Sequence, residues 1–456
     1  MEQYDIVFIG GGPAGYAGAL SAAAKGRKAA VIEADKVGGT CLQRGCIPTK
    51  ALMQSVKALK TARQGSKIGL LVSEAQLDRD MVFKRKDRVV NKLTKGIESL
   101  LRKSGVSFIQ DRGSITAPGS ISTESGLLLK SDYTVIATGS RPLDLPFMAR
   151  DGRIVFNSDD LLDLSEPPAA MLVIGGGAIG LEWAQILQAL GSKVTVVEIA
   201  AQLLPGSDHE VAGLLLNELV KQGLTVWTAT SVSEPEIGPA FSCRLSNAKG
   251  EWRESFDAVL LAVGRGPSCD GLWSEDLSIA CDERGFIKVD KEFRTSLPSV
   301  YACGDVTGPP LLAHRATHQA LALVDHLFSA RPVPRQIVPA AVFTLPEVAS
   351  VGLNEQEARE LHSEVKIGHF PYAAGSRANA SEEKTGFIKL IADPRERIVG
   401  AHIIGAEAAE LLPLLTMAVN RGMAAVEFRD LICIHPSLSE NVWEALGSLG
   451  GFAIHF

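Results

Sequence analysis

The chain has 456 residues, enough for about three domains of roughly 150 residues each. It is 46% hydrophobic and 21% charged, as is ordinary for an α/β protein, and its formal net charge of −6 argues against broad nucleic-acid binding. No stretch approaches 18 apolar residues, and the first residues form neither a basic nor an apolar leader. We therefore expect no nucleic-acid partner, no membrane association and a cytoplasmic location.

The first predicted unit is a strand–turn–helix–strand. Residues 5–9 predict a buried strand, and a second strand ends in an acid, Glu33. The turn between them contains Gly10, Gly12 and Gly15 in the spacing G-x-G-x-x-G. The first glycine allows the tight turn, the second lets a pyrophosphate approach the backbone, and the third permits close helix–strand packing. The pyrophosphate would sit at the positive end of the helix, and Glu33 would accept hydrogen bonds from an adenosine ribose.

A closely spaced cysteine pair, Cys41 and Cys46, follows this unit. The seven cysteines are otherwise scattered, which is not a secreted disulfide framework. Residues i and i+5 of a regular helix have Cα atoms roughly 8–9 Å apart, whereas a disulfide needs about 4.4–6.8 Å. The pair therefore needs a distorted turn, for which Gly45 and Pro48 are suited. A helix N-terminus and Lys50 would lower a thiol pKa.

Two other interpretations of the pair remain open. It could be chemically inert, or it could form half of a zinc site. No second closely spaced cysteine pair exists to complete a zinc site, so we expect no metal.

The middle of the chain leads from this unit to a second one. Helices are predicted at 41–64 and 80–104 from their 3.6-residue apolar period. Residues 106–136 alternate short strands with glycine and proline turns, and a proline-containing stretch, 142–168, follows.

The strand–turn–helix–strand pattern then returns. Gly175, Gly177 and Gly180 follow a strand at 171–174, and the next strand ends at Glu198. The acid lies 23 positions after the first glycine in both copies. Two copies in one context predict parallel sheets with right-handed crossovers and two dinucleotide sites. An acid at 198 favours NAD over NADP, because it would repel a 2′-phosphate. The alternative that these turns only join strand to helix stays open.

From Pro334 onwards the pattern predicts a third, α+β domain. A helix at about 313–329 precedes it, and its predicted elements are strands at 340–351, 365–372, 385–392 and 397–404 and helices at 407–420 and 440–448. Near its end, Glu440 follows His435 by five residues. Histidine carries protons near neutral pH, and the acid could orient it. Taken alone, His435 is more often a packed or surface histidine, so its role depends on context.

Eight segments carry a family resemblance. They are GGTCLQRGCIPTK at 38–50, the two GxGxxG turns, ATGSRP at 137–142, AVGRGP at 262–267, YACGDV at 301–306, TLPEVASVG at 344–352 and HPSLSE at 435–440. They appear along the chain in the order of the family and cover essentially its full length, and the chain resembles the dihydrolipoamide dehydrogenases within the flavoprotein pyridine nucleotide-disulfide oxidoreductases. The resemblance implies an α/β fold class with two Rossmann-like FAD/NAD(P)-binding domains and a C-terminal α+β dimerisation domain. The boundaries we expect are 1–145 and 266–335 for the FAD-binding domain, 146–265 for the NAD-binding domain and 336–456 for the dimerisation domain.

The resemblance also implies roles for individual side chains. Cys41 would attack the substrate disulfide and Cys46 would communicate with the flavin. Lys50 and Glu182 would form an ion pair beside the flavin ring. His435 would be the acid–base residue, oriented by Glu440 and contributed by the partner subunit, so that the active site requires a homodimer.

FAD and NAD are the implied cofactors. FAD would bind at the first glycine turn, with Asp305 on the ribityl chain, and NAD at the second turn. The implied cofactor-binding residues are Gly10, Gly12, Pro13, Ala14, Gly15, Glu33, Gly39, Thr40, Lys50, Thr138, Gly139, Gly175, Gly177, Ile179, Gly180, Glu198, Gly264, Gly304, Asp305 and Ala313. Departures from the commonest family pattern occur at Gln43, Thr49, residues 315–320 and the Cys433–Ile434 pair.

The implied activity is oxidation of protein-bound dihydrolipoamide to lipoamide with NAD⁺. The partner would be a lipoylated carrier, either a dihydrolipoyl acyltransferase or the glycine cleavage carrier protein. Two alternatives are a related NAD(P)H-dependent disulfide or metal-ion reductase and a non-catalytic FAD-binding redox-sensing subunit. Glu198 argues against NADPH, and the lack of a C-terminal vicinal cysteine pair argues against mercuric reduction.

Overall fold

The computed structural model describes residues 2–334 and 337–455. Its strands are β1 Glu2–Ile9, β2 Ala29–Glu33, β3 Ser107–Gln110, β4 Gly113–Ala117, β5 Ser120–Thr123, β6 Leu128–Ile136, β7 Ser140–Pro142, β8 Val155–Phe156, β9 Ala170–Ile174, β10 Lys193–Val197, β11 Thr225–Trp227, β12 Ser231–Ile237, β13 Phe241–Asn247, β14 Gly250–Phe256, β15 Ala258–Leu261, β16 Arg265–Pro267, β17 Val300–Ala302, β18 Ala340–Val342, β19 Glu347–Gly352, β20 Lys366–Pro371, β21 Phe387–Ala392 and β22 Ile398–Gly405. Its α-helices are α1 Pro13–Ala24, α2 Gly39–Arg44, α3 Cys46–Arg63, α4 Arg79–Lys103, α5 Ala178–Ala189, α6 His209–Lys221, α7 Ala313–Ser329, α8 Glu355–Leu361, α9 Ser376–Ala380, α10 Ala408–Arg421 and α11 Ser439–Gly450.

The chain forms two compact units. The first contains residues 2–51, 80–143 and 264–334, and the second contains residues 52–79, 144–263 and 337–455. The four domain boundaries expected from the sequence stay a prediction, and the one between residues 335 and 336 lies outside the described residues. Within the described part of the chain, no helix combines the length and apolarity that crossing a bilayer requires.

The first unit is built on a mixed sheet in the order β3-β2-β1-β6-β5-β4, and β17 also pairs with β6. Strands β3, β2, β1, β6 and β17 run parallel, as the first strand–turn–helix–strand pattern predicts. Ile6 and Phe8 belong to the core on one face of β1, and Val7 and Ile9 to the core on the other. Because both faces are covered, β1 is a continuous apolar run. This double burial holds rigid the strand that leads into the first glycine turn.

The second unit contains three sheets. One is parallel in the order β11-β10-β9-β15-β8, one is a small antiparallel sheet of β12, β13 and β14, and the third is antiparallel in the order β18-β19-β22-β21-β20. The parallel sheet is the one that the second copy of the pattern predicts. Helices α10 and α11 contribute Leu412, Leu415 and Leu446 to the core of the third sheet. Helix α11 is thereby fixed at the end of the chain that carries His435.

A buried lysine joins two parts of the second unit. Lys389 on β21 has a side chain only 1% exposed, and its Nζ lies 3.1 Å from Asp208 Oδ2, 3.0 Å from Glu210 Oε1 and 2.6 Å from Glu355 Oε2. Burial alone would lower the pKa of Lys389. Its hydrogen bonds to Glu355 and Glu210 raise the pKa by more than burial lowers it, so the pKa lies above its usual value. The lysine is therefore held charged against three carboxylates.

Two predicted elements are each divided in the structure. The strand predicted at 340–351 is two antiparallel strands, β18 and β19, because Pro346 has no N–H to continue a ladder. The helix predicted at 41–64 is two helices, α2 and α3, which are separated at Gly45.

Candidate active site

The first glycine turn connects β1 to α1. Gly10 has φ +108°, and a Cβ there would overlap the carbonyl of Ala137. Gly12 caps α1 without a side-chain hydrogen bond, and Pro13 follows in the first turn of the helix. A Cβ at Gly15 would overlap the Gly10 carbonyl. The helix can begin this close to the strand only because these positions lack side chains.

Glu33 closes the same turn from the end of β2. Its Oε2 accepts a hydrogen bond from the Gly11 N–H at 2.7 Å, and its Oε1 accepts one from the Asp35 N–H at 3.0 Å. The two bonds fix the carboxylate beside the glycine turn, and each oxygen keeps a lone pair for a further donor.

The second turn repeats this arrangement. Gly175 has φ +115°, and a Cβ there would overlap the Ala262 carbonyl. Glu198 accepts hydrogen bonds from the Gly176 N–H at 2.6 Å and the Ala200 N–H at 2.8 Å. The sequence patterns did not single out Gly11 or Gly176, whose N–H groups make these hydrogen bonds. The signal was there, since the acid follows each of these two glycines by 22 positions.

Both turns leave room for a phosphate group. The atom nearest to a Cβ built on Gly12 is the Cα of Gly39 at 3.8 Å, and nothing lies within 4 Å of one built on Gly177. Helices α1 and α5 both begin without a side-chain cap, so their first N–H groups are available as donors. Gly180, whose Cβ would overlap the Gly175 carbonyl, and Ile179 lie in the first turn of α5. These cradles fit the pyrophosphates of two dinucleotides.

The cysteine segment starts against the first turn. The Gly38 N–H donates to the Gly11 carbonyl at 2.8 Å. Gly39 has φ +57°, and a Cβ there would lie 2.6 Å from the Cα of Gly12. Helix α2 begins at Gly39 and includes Thr40, so the structure brings the cysteines and the predicted FAD turn together within the first unit.

The two cysteines flank the break between α2 and α3. Cys41 lies inside α2, Gly45 interrupts the helix with φ −132° and ψ −109°, and Cys46 starts α3. A Cβ at Gly45 would lie 2.9 Å from the Thr40 carbonyl, and the Thr49 hydroxyl donates to the Gly45 carbonyl at 2.7 Å. The distorted turn that the cysteine spacing requires is therefore confirmed.

The lowered pKa expected for one of the two thiols is not found at Cys41. Its pKa is raised well above its usual range, first by a hydrogen bond to the Cys46 side chain and then by burial. Lys50 acts in the expected direction, lowering that pKa, but more weakly. Two thiols this close do not both ionise readily, because the second thiolate would be repelled by the first. The Cys41 thiol of the reduced pair therefore keeps its proton more readily than a free cysteine does.

The Asp305 segment lies in the same unit. Gly304 has φ +80°, and a Cβ there would lie 3.2 Å from the Cβ of Ala316 and 3.6 Å from that of Ala14. Asp305 Oδ2 accepts a hydrogen bond from the Ser140 hydroxyl at 2.7 Å. Ala313 is the first residue of α7. The segment is thus packed against α1 and α7, the two helices that border the first turn.

Two hydrogen bonds link the stretch that contains Thr138 and Gly139 to the stretch that begins at Gly264. The Thr138 hydroxyl donates to the Ser268 carbonyl at 2.6 Å, and Gly139 has φ +73°. The carbonyl of Gly264 accepts from the Leu143 N–H at 3.1 Å. These contacts join the ATGSRP and AVGRGP segments within the first unit.

Glu182 is almost fully buried in α5, with 3% of its surface exposed. Its Oε1 accepts a hydrogen bond from the Phe343 N–H at 3.0 Å. Glu182 belongs to the second unit and Lys50 to the first, so the ion pair between them stays a prediction.

His435 and Glu440 are paired at the start of α11. His435 Nδ1 lies 2.8 Å from Glu440 Oε1, and the Ser437 N–H donates to Glu440 Oε2 at 2.7 Å. Burial raises the pKa of Glu440, but the hydrogen bonds from Ser437 and His435 lower it more, and the result is a pKa below its usual value. The His435 side chain is 70% exposed. An ionised carboxylate on Nδ1 leaves Nε2 as the nitrogen that can exchange a proton with a substrate.

Comparison with known proteins covers nearly the whole chain. Residues 4–320 match the family pyridine nucleotide-disulphide oxidoreductase, and residues 338–446 match its dimerisation domain. The chain belongs to the pyridine nucleotide-disulphide oxidoreductases. This disulphide oxidoreductase is 36% identical to a dihydrolipoyl dehydrogenase of Bacillus subtilis over 99% of both chains. It is 38% identical to a dihydrolipoyl dehydrogenase of Thermus scotoductus, over 100% of this chain and 99% of that one.

Among solved structures, it is similar to the Cu(II) complex of the HOCl-induced flavoprotein disulfide reductase RclA from Escherichia coli. The TM-score is 0.87 with 29% identity, over 98% of this chain and 99% of that one. The predicted fold class is confirmed. The chain is a flavin-dependent disulfide oxidoreductase that binds FAD and a pyridine nucleotide, NAD or NADP, and its dimerisation domain makes it a homodimer.

Proposed function

We propose that this oxidoreductase oxidises dihydrolipoamide on a lipoylated carrier protein, with NAD⁺ as the acceptor. The observation that carries the proposal is the hydrogen-bonded Cys41–Cys46 pair, which lies beside the first dinucleotide turn in a chain similar over its full length to dihydrolipoyl dehydrogenases. Dihydrolipoyl acyltransferases and the glycine cleavage carrier protein are the carriers we propose, and the cytoplasm is the location.

The proposed thiol chemistry gives each sulfur the role that the family resemblance implies. A thiolate of the substrate attacks Cys41 of the oxidised pair, the Cys41–Cys46 bond breaks, and Cys46 leaves as the thiolate. The second substrate thiolate then attacks the substrate sulfur bound to Cys41, releasing lipoamide and the reduced pair. Two electrons and two protons leave the substrate. Only a thiolate attacks well, so each substrate thiol must first lose its proton.

His435 is the proton acceptor in this proposal. Glu440 holds the proton on Nδ1, so the exposed Nε2 is free to take the proton of the incoming thiol. We propose that His435 of one protomer serves the cysteine pair of the other. FAD and NAD⁺ supply the two-electron path that returns the reduced pair to the disulfide.

We also propose that FAD occupies the first turn and NAD the second. Glu33 and Glu198 would each accept hydrogen bonds from a ribose, with their carboxylates already fixed by backbone N–H groups. The Glu198 carboxylate would repel a 2′-phosphate, which supports NAD over NADP. Lys50 and Glu182 would form the ion pair beside the flavin ring.

The decisive experiment uses the purified homodimer. NADH formation from dihydrolipoamide and NAD⁺ is measured for the wild type, for Cys46→Ser and for Cys269→Ser, a partly buried cysteine of the first unit that lies outside the proposed chemistry. We expect turnover by the wild type and Cys269→Ser, and loss of turnover in Cys46→Ser. Unchanged turnover in Cys46→Ser would eliminate the proposed thiol chemistry.

A second candidate is a reductase that spends NAD(P)H on another disulfide or on a metal-ion substrate. The similarity to the RclA structure over nearly the whole chain favours it. The same preparation is given NADH or NADPH with either lipoamide or Cu(II). Faster NADH oxidation with Cu(II) than with lipoamide, and no NADH formation from dihydrolipoamide, would select this candidate instead.

A further inference from the structure

Three side chains of the first unit form a chain of hydrogen bonds that ends on Asp305. Arg265 donates from Nε to the Ser140 hydroxyl at 2.8 Å and from Nη2 to the Ser140 carbonyl at 2.6 Å. The Ser140 hydroxyl lies 2.7 Å from Asp305 Oδ2. Because Arg265 cannot accept a hydrogen bond and the carboxylate cannot donate one, the serine proton must point at Asp305. The direction of each hydrogen bond from Arg265 through Ser140 to Asp305 is thereby fixed.

The backbone holds the serine and the arginine in place. Ser140 is 5% exposed and starts β7, which pairs antiparallel with β16, the strand that begins at Arg265. The Ser268 N–H also donates to the Gly139 carbonyl at 3.1 Å. A buried hydroxyl between two paired strands has little freedom to turn away from its acceptor.

The segment around Asp305 is held from the other side by α7. Gln319 Oε1 accepts a hydrogen bond from the Gly304 N–H at 2.8 Å. Arg315 Nη1 donates to the Gly308 carbonyl at 2.6 Å and to the Pro310 carbonyl at 3.1 Å. The backbone of Asp305 is therefore fixed independently of its side chain, so that Ser140 needs only to set the direction of the carboxylate.

The serine also determines how much of the carboxylate remains available. An arginine in direct contact with a carboxylate commonly takes both oxygens in a bidentate pair. Here the Arg265 cation stands one hydroxyl away, the Arg315 guanidinium acts on Asp305 only electrostatically, and Oδ2 is the one carboxylate oxygen of Asp305 engaged among the hydrogen bonds of the described residues. Oδ1 remains an acceptor for a hydroxyl group.

We propose that Arg265 and Ser140 are positioning residues that direct the Asp305 carboxylate towards the polyol chain of FAD and thereby set the affinity for FAD. The proposal rests on the role of Asp305 in the proposed FAD site. It assigns a function to two residues of the ATGSRP and AVGRGP segments that the sequence reasoning left without one.

A double-mutant cycle on FAD affinity tests the proposal. Apoprotein of the wild type, Ser140→Ala, Asp305→Ala and the double variant is titrated with FAD, and binding is followed by flavin fluorescence. We expect Ser140→Ala to weaken binding about tenfold, the factor that a single hydrogen bond to a charged group supplies. In the Asp305→Ala background the same substitution should change the dissociation constant by less than about twofold, because it acts through the carboxylate.

Two further variants separate positioning from folding. Ser131→Ala removes another buried hydroxyl of the first unit, which lies 2.8 Å from the Thr134 hydroxyl, and should leave FAD affinity unchanged. Arg265→Gln keeps the serine but removes its fixed donor, and should weaken FAD binding only when Asp305 is present. Arg265→Gln also replaces Ser140→Ala as the test of positioning if Ser140→Ala does not fold.

Each outcome has one meaning. If Asp305→Ala binds FAD as the wild type does, the role of Asp305 in the proposed FAD site fails. If Asp305→Ala binds FAD weakly but Ser140→Ala binds normally, or if Ser140→Ala costs the same factor in both backgrounds, the positioning role is overturned while the FAD site stands.

Discussion

Replacing Glu440 by glutamine should separate catalysis from stability. The neutral amide no longer stabilises a charged His435 or fixes its proton on Nδ1. Two unit charges 2.8 Å apart interact by about 1.5 kcal/mol even if they are screened as in bulk water, which corresponds to about tenfold in rate. The corresponding Asp→Asn change at the buried aspartate of a serine-protease triad lowers kcat about 10⁴-fold. Because the imidazole is 70% exposed, we expect a loss of about 10- to 100-fold.

The folding cost of Glu440→Gln should be small, since an exposed ion pair contributes about 0.2–1 kcal/mol. The assay is NADH formation from dihydrolipoamide, measured beside reduction of ferricyanide by NADH, which needs no substrate thiol to be deprotonated. Only the first rate should fall. Glu357→Gln is the control, because Glu357 is another carboxylate of the second unit that accepts a backbone hydrogen bond, from the Asn354 N–H at 2.9 Å, and it lies outside the proposed chemistry. An equal loss of both rates in Glu440→Gln, or the same loss in Glu357→Gln, would refute the proposed role of Glu440.

Three further predictions concern the glycine turns and the buried lysine. Gly175→Ala should abolish reduction of the bound flavin by NADH while leaving FAD bound, as flavin absorbance would report. Gly10→Ala should yield protein that lacks FAD but keeps its helix content, measured by absorbance and circular dichroism. Lys389→Met leaves the buried Asp208 carboxylate without its cation, so denaturant titration should show a loss of about 3–5 kcal/mol at neutral pH, against less than about 1 kcal/mol for the exposed Lys366→Met. The Lys389→Met loss should shrink as the solution is acidified below about pH 4, because the folded-state pKa of Asp208 lies below its ordinary value and its contribution disappears once it is protonated.

The sequence predicts this fold well where function imposes a local pattern. Both glycine turns can be identified because Gly10 and Gly175 occupy a backbone region that few other residues adopt. The break between Cys41 and Cys46 can be predicted because a covalent bond length conflicts with helix geometry. In each case the constraint acts between residues close in sequence, so one chain is enough to see it.

What the sequence does not predict depends on contacts between distant segments. Ser140 and Asp305 are 165 positions apart, and no local pattern predicts that they meet. Glu182 and the Phe343 N–H are 161 positions apart. The acidity of Cys41 is similar in kind, because it depends on how closely the Cys46 sulfur approaches, which the spacing alone does not determine.

The two glycine turns have the same backbone arrangement but differ in which residues pack against them. In the first, the Gly38 N–H bonds to the Gly11 carbonyl and Gly39 passes close to Gly12, so the cysteine segment covers one side of the cradle. In the second, nothing lies within 4 Å of a Cβ built on Gly177. A covered cradle suits a resident group, whereas an open one suits a ligand that enters and leaves in every cycle. Under the proposed assignment of FAD to the first turn and NAD to the second, the segment that carries Cys41 and Cys46 also distinguishes the two turns, and it ties retention of the flavin to the position of the thiols that would react with it.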